Sequence, residues 1–496
     1  MKVPMMHVLS KALFFVRAHL FLITVGICCE IIYLLYFVRR LPLLPYYQRL
    51  IDMGQIEKYT HTGMLLFVLA FTALFIFFGS AWWSVRFLSD RATLWLVLGF
   101  GALFALTMIF VYPATAIDIY NYIAQSLVLV RYHADPLVTP AAVFKDDPLI
   151  QLAGQWTNYS APYGPLGILI DALPSLLSFH NLLLNLLLLK LVFSFTLLVE
   201  AFLVYKILIR LAPQLALMGT LFVAWNPHFL FEYSANGHND VTVILFVLLA
   251  ILALVHERPV LALVLVTASA LVKYSTLPLL PLFFLYGVFH PARGQKRTEY
   301  IPLALALPLV LAIGLFVPFW RGSITLSTFS LQSQFDISSF DGMLSDVSAG
   351  QITPANGILW GRVIFGVCYL YALYLSTRTL KGMLRGYFLV MFFFLAFASG
   401  KFEIWYSIWA APLAVLSGRK DETVSAFLFV YGAGLSAICY EFLLVWLGLT
   451  SNSWVLVNSL AYVVTFVPAL LALFCLALRR GLARFERPSP AMSSPD

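Results

Sequence analysis

Charge is scarce in this sequence. Of its 496 residues only 11% are Asp, Glu, Lys or Arg, against about 25% in soluble globular domains. That deficit excludes a soluble globular fold. Cysteine is scarce too. The five, Cys28, Cys29, Cys368, Cys439 and Cys475, all lie inside apolar runs at no metal or disulfide spacing, and read as small buried apolar side chains. No basic patch is interleaved with aromatics, so the net charge of +8 does not point to nucleic acid, and no nucleic-acid partner is expected. No internal repeat is visible and no loop reaches domain size. Lys2, Lys11 and Arg17 precede an apolar run that is too long for a signal-peptide core and has no small-residue cleavage site, which reads as a retained first helix.

What the chain has instead is apolar length. Hydrophobic residues make up 61% of it, and they come in runs of about 20, the length that crosses a hydrocarbon core. The runs are His19–Phe37, Thr62–Trp83, Ala92–Tyr112, Asn181–Tyr205, Leu215–Phe231, Asp240–Val255, Ile301–Phe319, Ile358–Leu375, Gly386–Phe397, Ile404–Leu416, Ala426–Leu449 and Trp454–Leu478. Gly164–Phe179, interrupted by Pro174, either spans or re-enters. Pro259–Tyr274 and Leu277–Phe289 are short and broken by Pro278 and Pro281. The expected fold is all-α, a polytopic transmembrane protein of about 13 or 14 spans. It forms one membrane domain over residues 1–487, and the Pro/Ser-rich tail 488–496 is expected to be disordered. Two polar stretches interrupt it, a loop over 113–166 with short amphipathic helices and a second over 321–355 carrying Asp336, Asp341 and Asp346. Basic residues set orientation. The N-terminal cluster, Arg86 and Arg91, Arg293 to Arg297, and the tail arginines fit the cytoplasm. The 113–166 loop then lies outside, on a multi-pass cell-membrane protein. Arg39, Arg40, Arg49 and Lys58 disagree with this topology and suggest an interfacial segment.

Polar groups at membrane depth need a partner or a function, and five places stand out. Asp118, in D-I-Y-N-Y with Tyr120 and Tyr122, sits just past an apolar run; a helix N-cap is the competing reading. Asp135-Pro136, Asp146-Asp147-Pro148, Trp156 and Pro162-Tyr163-Gly164-Pro165 form either a plain turn or a rigid platform beside it. Asn236-Gly237-His238-Asn239-Asp240 is the densest polar cluster next to a run; a cap explains Asn239 or Asp240 but not Asn236 and His238 together. Lys273 lies within L-V-K-Y, where it either snorkels to an interface or lines a cavity and holds a phosphate. Lys401-Phe402-Glu403, followed by Trp405, Tyr406 and Trp409, is either a surface pair or a further wall of the same site.

Taken together, D-I-Y-N-Y at Asp118, D-P-L-V-T-P at Asp135, A-P-Y-G-P-L at Ala161, W-N-P at Trp225, N-G-H-N-D at Asn236, A-L-V-K at Ala270 and W-Y-x-x-W at Trp405 resemble the GT-C superfamily of membrane glycosyltransferases. The nearest resemblance is to the polyprenol-phosphate-mannose-dependent α-1,6-mannosyltransferases of bacterial lipomannan assembly. The motifs run in the same order from Asp118 to Trp409. The resemblance implies a fold of many helices, a catalytic acid in a large outer loop, and a lipid-phosphate sugar donor with a glycan or glycolipid acceptor, in contact with membrane lipid. Two departures stand out: two further apolar runs precede the span leading into Asp118, and the acid is a single Asp, not an Asp-x-Asp pair, so no metal and no cofactor is expected.

On that reading an inverting displacement needs one carboxylate, and Asp118 is the general base. Lys273 and His238 hold the departing phosphate. Tyr120, Tyr122, Asp135, Trp156, Tyr163, Asn236, Asn239, Asp240, Lys401, Trp405 and Tyr406 bind substrate, the aromatics by stacking on sugar rings. The rival reading is a transporter or lipid flippase, favoured by the broken short helices near Pro278 and opposed by the lack of paired half-repeats. A non-catalytic scaffold is a third, and would tolerate alanine at Asp118 and His238.

Overall fold

The computed structural model describes residues 3–327 and 337–485; Asp336 and the tail 488–496 lie outside them. The described residues contain no strand. Among them nine helices are long and apolar enough to cross a membrane, and four shorter apolar helices accompany them. In chain order the principal helices are α1 (Val3–Ile32), α2 (His61–Val85), α3 (Arg91–Met108), α4 (Asp118–Val130), α5 (Pro165–Leu177), α6 (Leu182–Leu211), α7 (Ala216–Ala224), α8 (Asp240–Val255), α9 (Pro259–Val272), α10 (Leu280–Phe289), α11 (Arg297–Phe316), α12 (Phe340–Val347), α13 (Pro354–Ser376), α14 (Leu380–Phe393), α15 (Lys420–Ile438) and α16 (Ser451–Phe485).

These runs become helices because a chain in hydrocarbon must satisfy its own amides, and capping residues set where they start. Thr60, Asp90, Asn181, Thr353 and Thr379 each accept a backbone N–H from the first turn of the helix that follows. One hydrophobic cluster runs from Leu22 to Leu473. The helices α11 and α13 bury little of their surface and lie at its rim.

Three apolar runs do not become straight spans. The run over Leu215–Phe231 stops at Ala224, because Pro227 cannot donate an amide. Asn226 then caps a new turn through the His228 and Phe229 amides, and a π-helical turn follows over Leu230–Asn236. Ile404–Leu416 is a 3-10 turn, Ile404–Trp409, and a four-residue helix. Pro259–Tyr274 ends at Val272, where Lys273 turns extended.

The discordant segment 39–60 folds onto the end of α3. The Leu43 amide bonds the Phe110 carbonyl at 2.8 Å, the Tyr112 amide bonds Leu41 at 2.7 Å, and Arg40 Nε donates to Glu57 at 2.8 Å. One end of the bundle therefore gathers this segment, the 113–166 loop, the start of α8, the end of α9 and residues 399–409.

Candidate functional site

Asp118 is the first residue of α4. No side chain caps that helix, so the cap reading of this aspartate does not hold. The carboxylate is free to face a cleft of about 350 Å³ lined by Asp52, Gln55, Thr115, Asp118, Gln155, Trp156, Trp405 and Glu441 among others. A second cavity of about 230 Å³ shares Thr115, Gln155, Trp156, Trp405 and Glu441 with it, so the two are lobes of one cleft. Burial pushes the Asp118 carboxyl up to about 7; Glu403 and Asp240 add to the rise, and Lys273 and Lys401 oppose it. Those charges reach Asp118 from three separate stretches of chain.

Glycine geometry holds these stretches together. Gly237 adopts φ +76°, and a Cβ there would come within 2.5 Å of Ile119, the neighbour of Asp118. That close approach packs the N-G-H-N-D turn against the start of α4. At Gly164 a Cβ would meet the Leu271 carbonyl at 2.0 Å, and the Gly164 amide bonds Val272 at 3.0 Å. The P-Y-G-P turn is thereby locked to the end of α9 that delivers Lys273.

Lys273 does not snorkel. Its side chain is 13% exposed and its ammonium lies 2.8 Å from Asp240 Oδ1, whose side chain is fully buried. The rings of Tyr406, Trp409 and Tyr163 lie 4.9, 5.3 and 5.9 Å from the ammonium, within cation–π reach. Asp240 also accepts from Trp409 Nε1 at 2.6 Å. Its carboxylate thus joins residues 273 and 409, and the helix-cap reading of Asp240 is replaced by a buried ion pair. Asn239 gives its amide to Asp171 Oδ2 at 2.8 Å instead of capping α8.

His238 stacks on Trp405 with ring centroids 4.1 Å apart, and its Nε2 lies 3.2 Å from Glu232. Burial, followed by the charge of Lys273 and by His228, holds the imidazole well below its ordinary range. Burial thus favours the uncharged imidazole, which can still meet a phosphate through its ring N–H. Asn236 donates to Thr115 at 2.8 Å and to Glu232 at 2.9 Å, and His228 Nε2 pairs with Ser407 at 2.9 Å. Glu232 thus sits at the centre of a buried network joining the Asp118 loop, the N-G-H-N-D turn and residues 404–409.

Lys401 pairs with Glu403 at 3.0 Å and sits 5.0 Å over the Trp156 ring. It is largely buried, not a surface pair. Tyr122 and Tyr163 meet edge to face at 5.3 Å, and Tyr406 stacks on Trp409 at 4.1 Å.

Of the expected site residues, Asp118, Trp156 and Trp405 line the cleft, and Tyr120 and Asp135 join neither the cleft nor the buried network beside it. Tyr120 is fully buried and its hydroxyl donates to the Tyr47 carbonyl at 2.9 Å, tying α4 to the 39–60 segment. Asp135 accepts from the Leu137 amide at 3.0 Å in a local turn and faces Arg321 at 3.9 Å; it lines neither lobe. Sequence reasoning missed Glu232, Asp171 and Glu441. Each is a single acid within an apolar stretch, and that was the available signal. Among the described residues no three His, Cys, Asp or Glu side chains converge as a metal site.

Several buried polar atoms around this centre have no protein partner: the Tyr122 hydroxyl, Asp171 Oδ1, Asn236 Oδ1, His238 Nδ1, Asp240 Oδ2 and Trp405 Nε1. Such atoms are rare in folded proteins and call for an explanation. Of these six groups Trp405 lines the cleft, and the other five lie in the buried network beside it.

The sequence profile of a family described as alpha-(1->6)-mannopyranosyltransferase, N-terminal domain, matches residues 40–288, half of the chain. Asp118, Trp156, Tyr163, Asn236 to Asp240 and Lys273 fall inside that match; Lys401, Trp405, Tyr406 and Glu441 lie beyond it. The alpha-(1->6)-mannopyranosyltransferase A of Corynebacterium glutamicum is 25% identical over 229 residues, 46% of each chain, so the chain spans about half the length of that curated relative.

Proposed function

This chain belongs to the alpha-(1->6)-mannopyranosyltransferase family, and we propose that it transfers a mannosyl residue from a polyprenyl-phosphate-linked donor to a glycan or glycolipid acceptor, with inversion, at the outer face of the membrane. The observation that carries this reading is the Asp118 carboxyl. It faces a cleft at one end of the bundle, with two lysines close enough to act on it and a wall of tryptophans opposite.

Asp118 takes the proton from the acceptor hydroxyl as that oxygen attacks the anomeric carbon. A carboxyl held near 7 by burial is a better base at neutral pH than an ordinary aspartate. The bond from the anomeric carbon to the lipid phosphate breaks on the opposite face. Lys273, fixed in an aromatic enclosure, is the cation nearest that departing charge, and it needs little reorganisation to meet it. Trp156 and Trp405 supply flat apolar faces for sugar rings. The outer-face assignment is supported by the distribution of charge. Arg86, Arg91, Lys206, Arg210, Arg258, Arg293, Arg378, Lys381, Arg419 and Arg480 all lie in or beside helix ends away from Asp118, as the positive-inside rule expects of a cytoplasmic end.

The test uses membranes supplied with polyprenyl-phosphate-mannose and a mannoside acceptor. Asp118→Asn keeps the shape and removes the base, and should lower transfer by about 10²-fold or more while donor binding persists. Normal transfer by this variant would rule the assignment out.

A further inference from the structure

Beyond Trp156 and Trp405, the lining of the second lobe has no part in the chemistry described above. Its lining includes Trp156, Trp405, Trp454, Tyr440, Glu403 and Glu441. Asp118 lines only the first lobe. The lobes share a wall at Trp156 and Trp405, so a ligand reacting at Asp118 extends into the second lobe without leaving protein.

We propose that this lobe is a subsite for the acceptor's second sugar, the residue next to the one whose hydroxyl is attacked, and that it selects a neutral oligosaccharide over a single sugar. The proposal rests on the glycosyl-transfer reading of Asp118. Two features choose this occupant over the donor. Glu403 and Glu441 line the lobe, and among its described lining residues none is basic, so the lining offers a phosphate or diphosphate no cation. A neutral polyol instead finds carboxylate acceptors beside flat indole faces, the pairing of apolar wall and a few placed polar groups that binding pockets use. The groups are also held in place. The Glu441 carboxylate accepts the Met53 amide at 2.9 Å, Glu403 is fixed by Lys401 at 3.0 Å, and the Tyr440 hydroxyl donates to Asn458 at 2.9 Å. Glu441 itself sits on a π-helical turn, Cys439–Leu443, within an otherwise regular apolar helix. Such a turn re-aims a side chain. Trp454 is 40% exposed, at the open rim of the lobe.

The experiment compares octyl α-mannoside with the octyl α-1,6-linked dimannoside, as acceptors with polyprenyl-phosphate-mannose and as ligands alone, by tryptophan fluorescence of the purified full-length protein. Wild type should bind the disaccharide at least fivefold more tightly. In Trp454→Ala and in Glu403→Gln the ratio of kcat/KM for disaccharide over monosaccharide should fall at least fivefold, with the same loss in the binding ratio. Trp454→Phe, which keeps a ring, should restore most of it. If wild type binds both ligands equally, or if both variants keep the wild-type ratios, the subsite is overturned. If wild type prefers the disaccharide in binding, the variants lose that preference and no sugar is transferred, the subsite stands and the transferase reading falls.

Discussion

On the proposed reading of Asp118 as base, burial improves the base and weakens the fold together. A carboxyl whose pKa is raised from 3.8 to about 7 holds its proton more tightly in the folded chain than in the unfolded one. Stability therefore falls as pH rises through that window. Asp118→Asn should melt at a higher temperature than wild type at pH 8, and the gap should close below pH 4, as thermal unfolding in detergent would read. Activity runs the other way: kcat/KM of the wild type should climb with pH and level off above about 7. The Lys273–Asp240 pair carries a different expectation. Lys273→Ala leaves a fully buried carboxylate facing only Trp409, and breaking such a pair costs about 3–5 kcal/mol. The double change Lys273→Met with Asp240→Leu should cost clearly less, which a double-mutant cycle of unfolding would show.

Between elements, small residues do the joining. Gly164→Ala drives a methyl into the Leu271 carbonyl, which displaces the end of α9 and with it Lys273. Overpacking of this kind costs about 1–3 kcal/mol, and donor KM should rise with it, measured by transfer assays at fixed acceptor. The sequence displayed much of this. N-G-H-N-D, P-Y-G-P and L-V-K stood out as polar or turn-forming breaks in apolar text, and they meet in space. Their partners were not legible, because spacing says nothing of who faces whom: nothing in the order of residues pairs Asp240 with Trp409 across 169 positions. The run Ile404–Leu416 looked like a span since its apolar content suits one, yet Pro412 and the packing of Trp405, Tyr406 and Trp409 around buried polar groups hold its first half in a 3-10 turn. Glu232 is not legible because one acid in F-L-F-E-Y changes hydropathy little, although its contacts with Asn236, His238 and His228 place it within a network that ties three segments together. Four π-helical turns, at Tyr33–Val38, Leu230–Asn236, Phe394–Ala398 and Cys439–Leu443, also left no trace in periodicity. All four fall at the end of the bundle that holds Asp118.

For the whole molecule, the outer-face reading makes an accessibility prediction. Lys145 and Arg293 are both exposed, at opposite ends of the bundle. A membrane-impermeant maleimide added to intact cells should label Lys145→Cys and spare Arg293→Cys, over the background of the native cysteines. The reverse pattern would place Asp118 in the cytoplasm. The fold class was plain from composition, since 61% hydrophobic content in long runs leaves helices as the workable answer. The span count was less so, as nine long helices and four short ones share the apolar text and length alone does not say which of the short ones cross. The cleft is closed on one side by residues before 288 and on the other by Glu403, Trp405, Glu441 and Trp454. During synthesis the loop bearing Asp118 emerges before its facing wall, which waits for Glu403, Trp405, Glu441 and Trp454 to leave the ribosome. A chain made only as far as residue 288 therefore presents that carboxylate with no chamber around it.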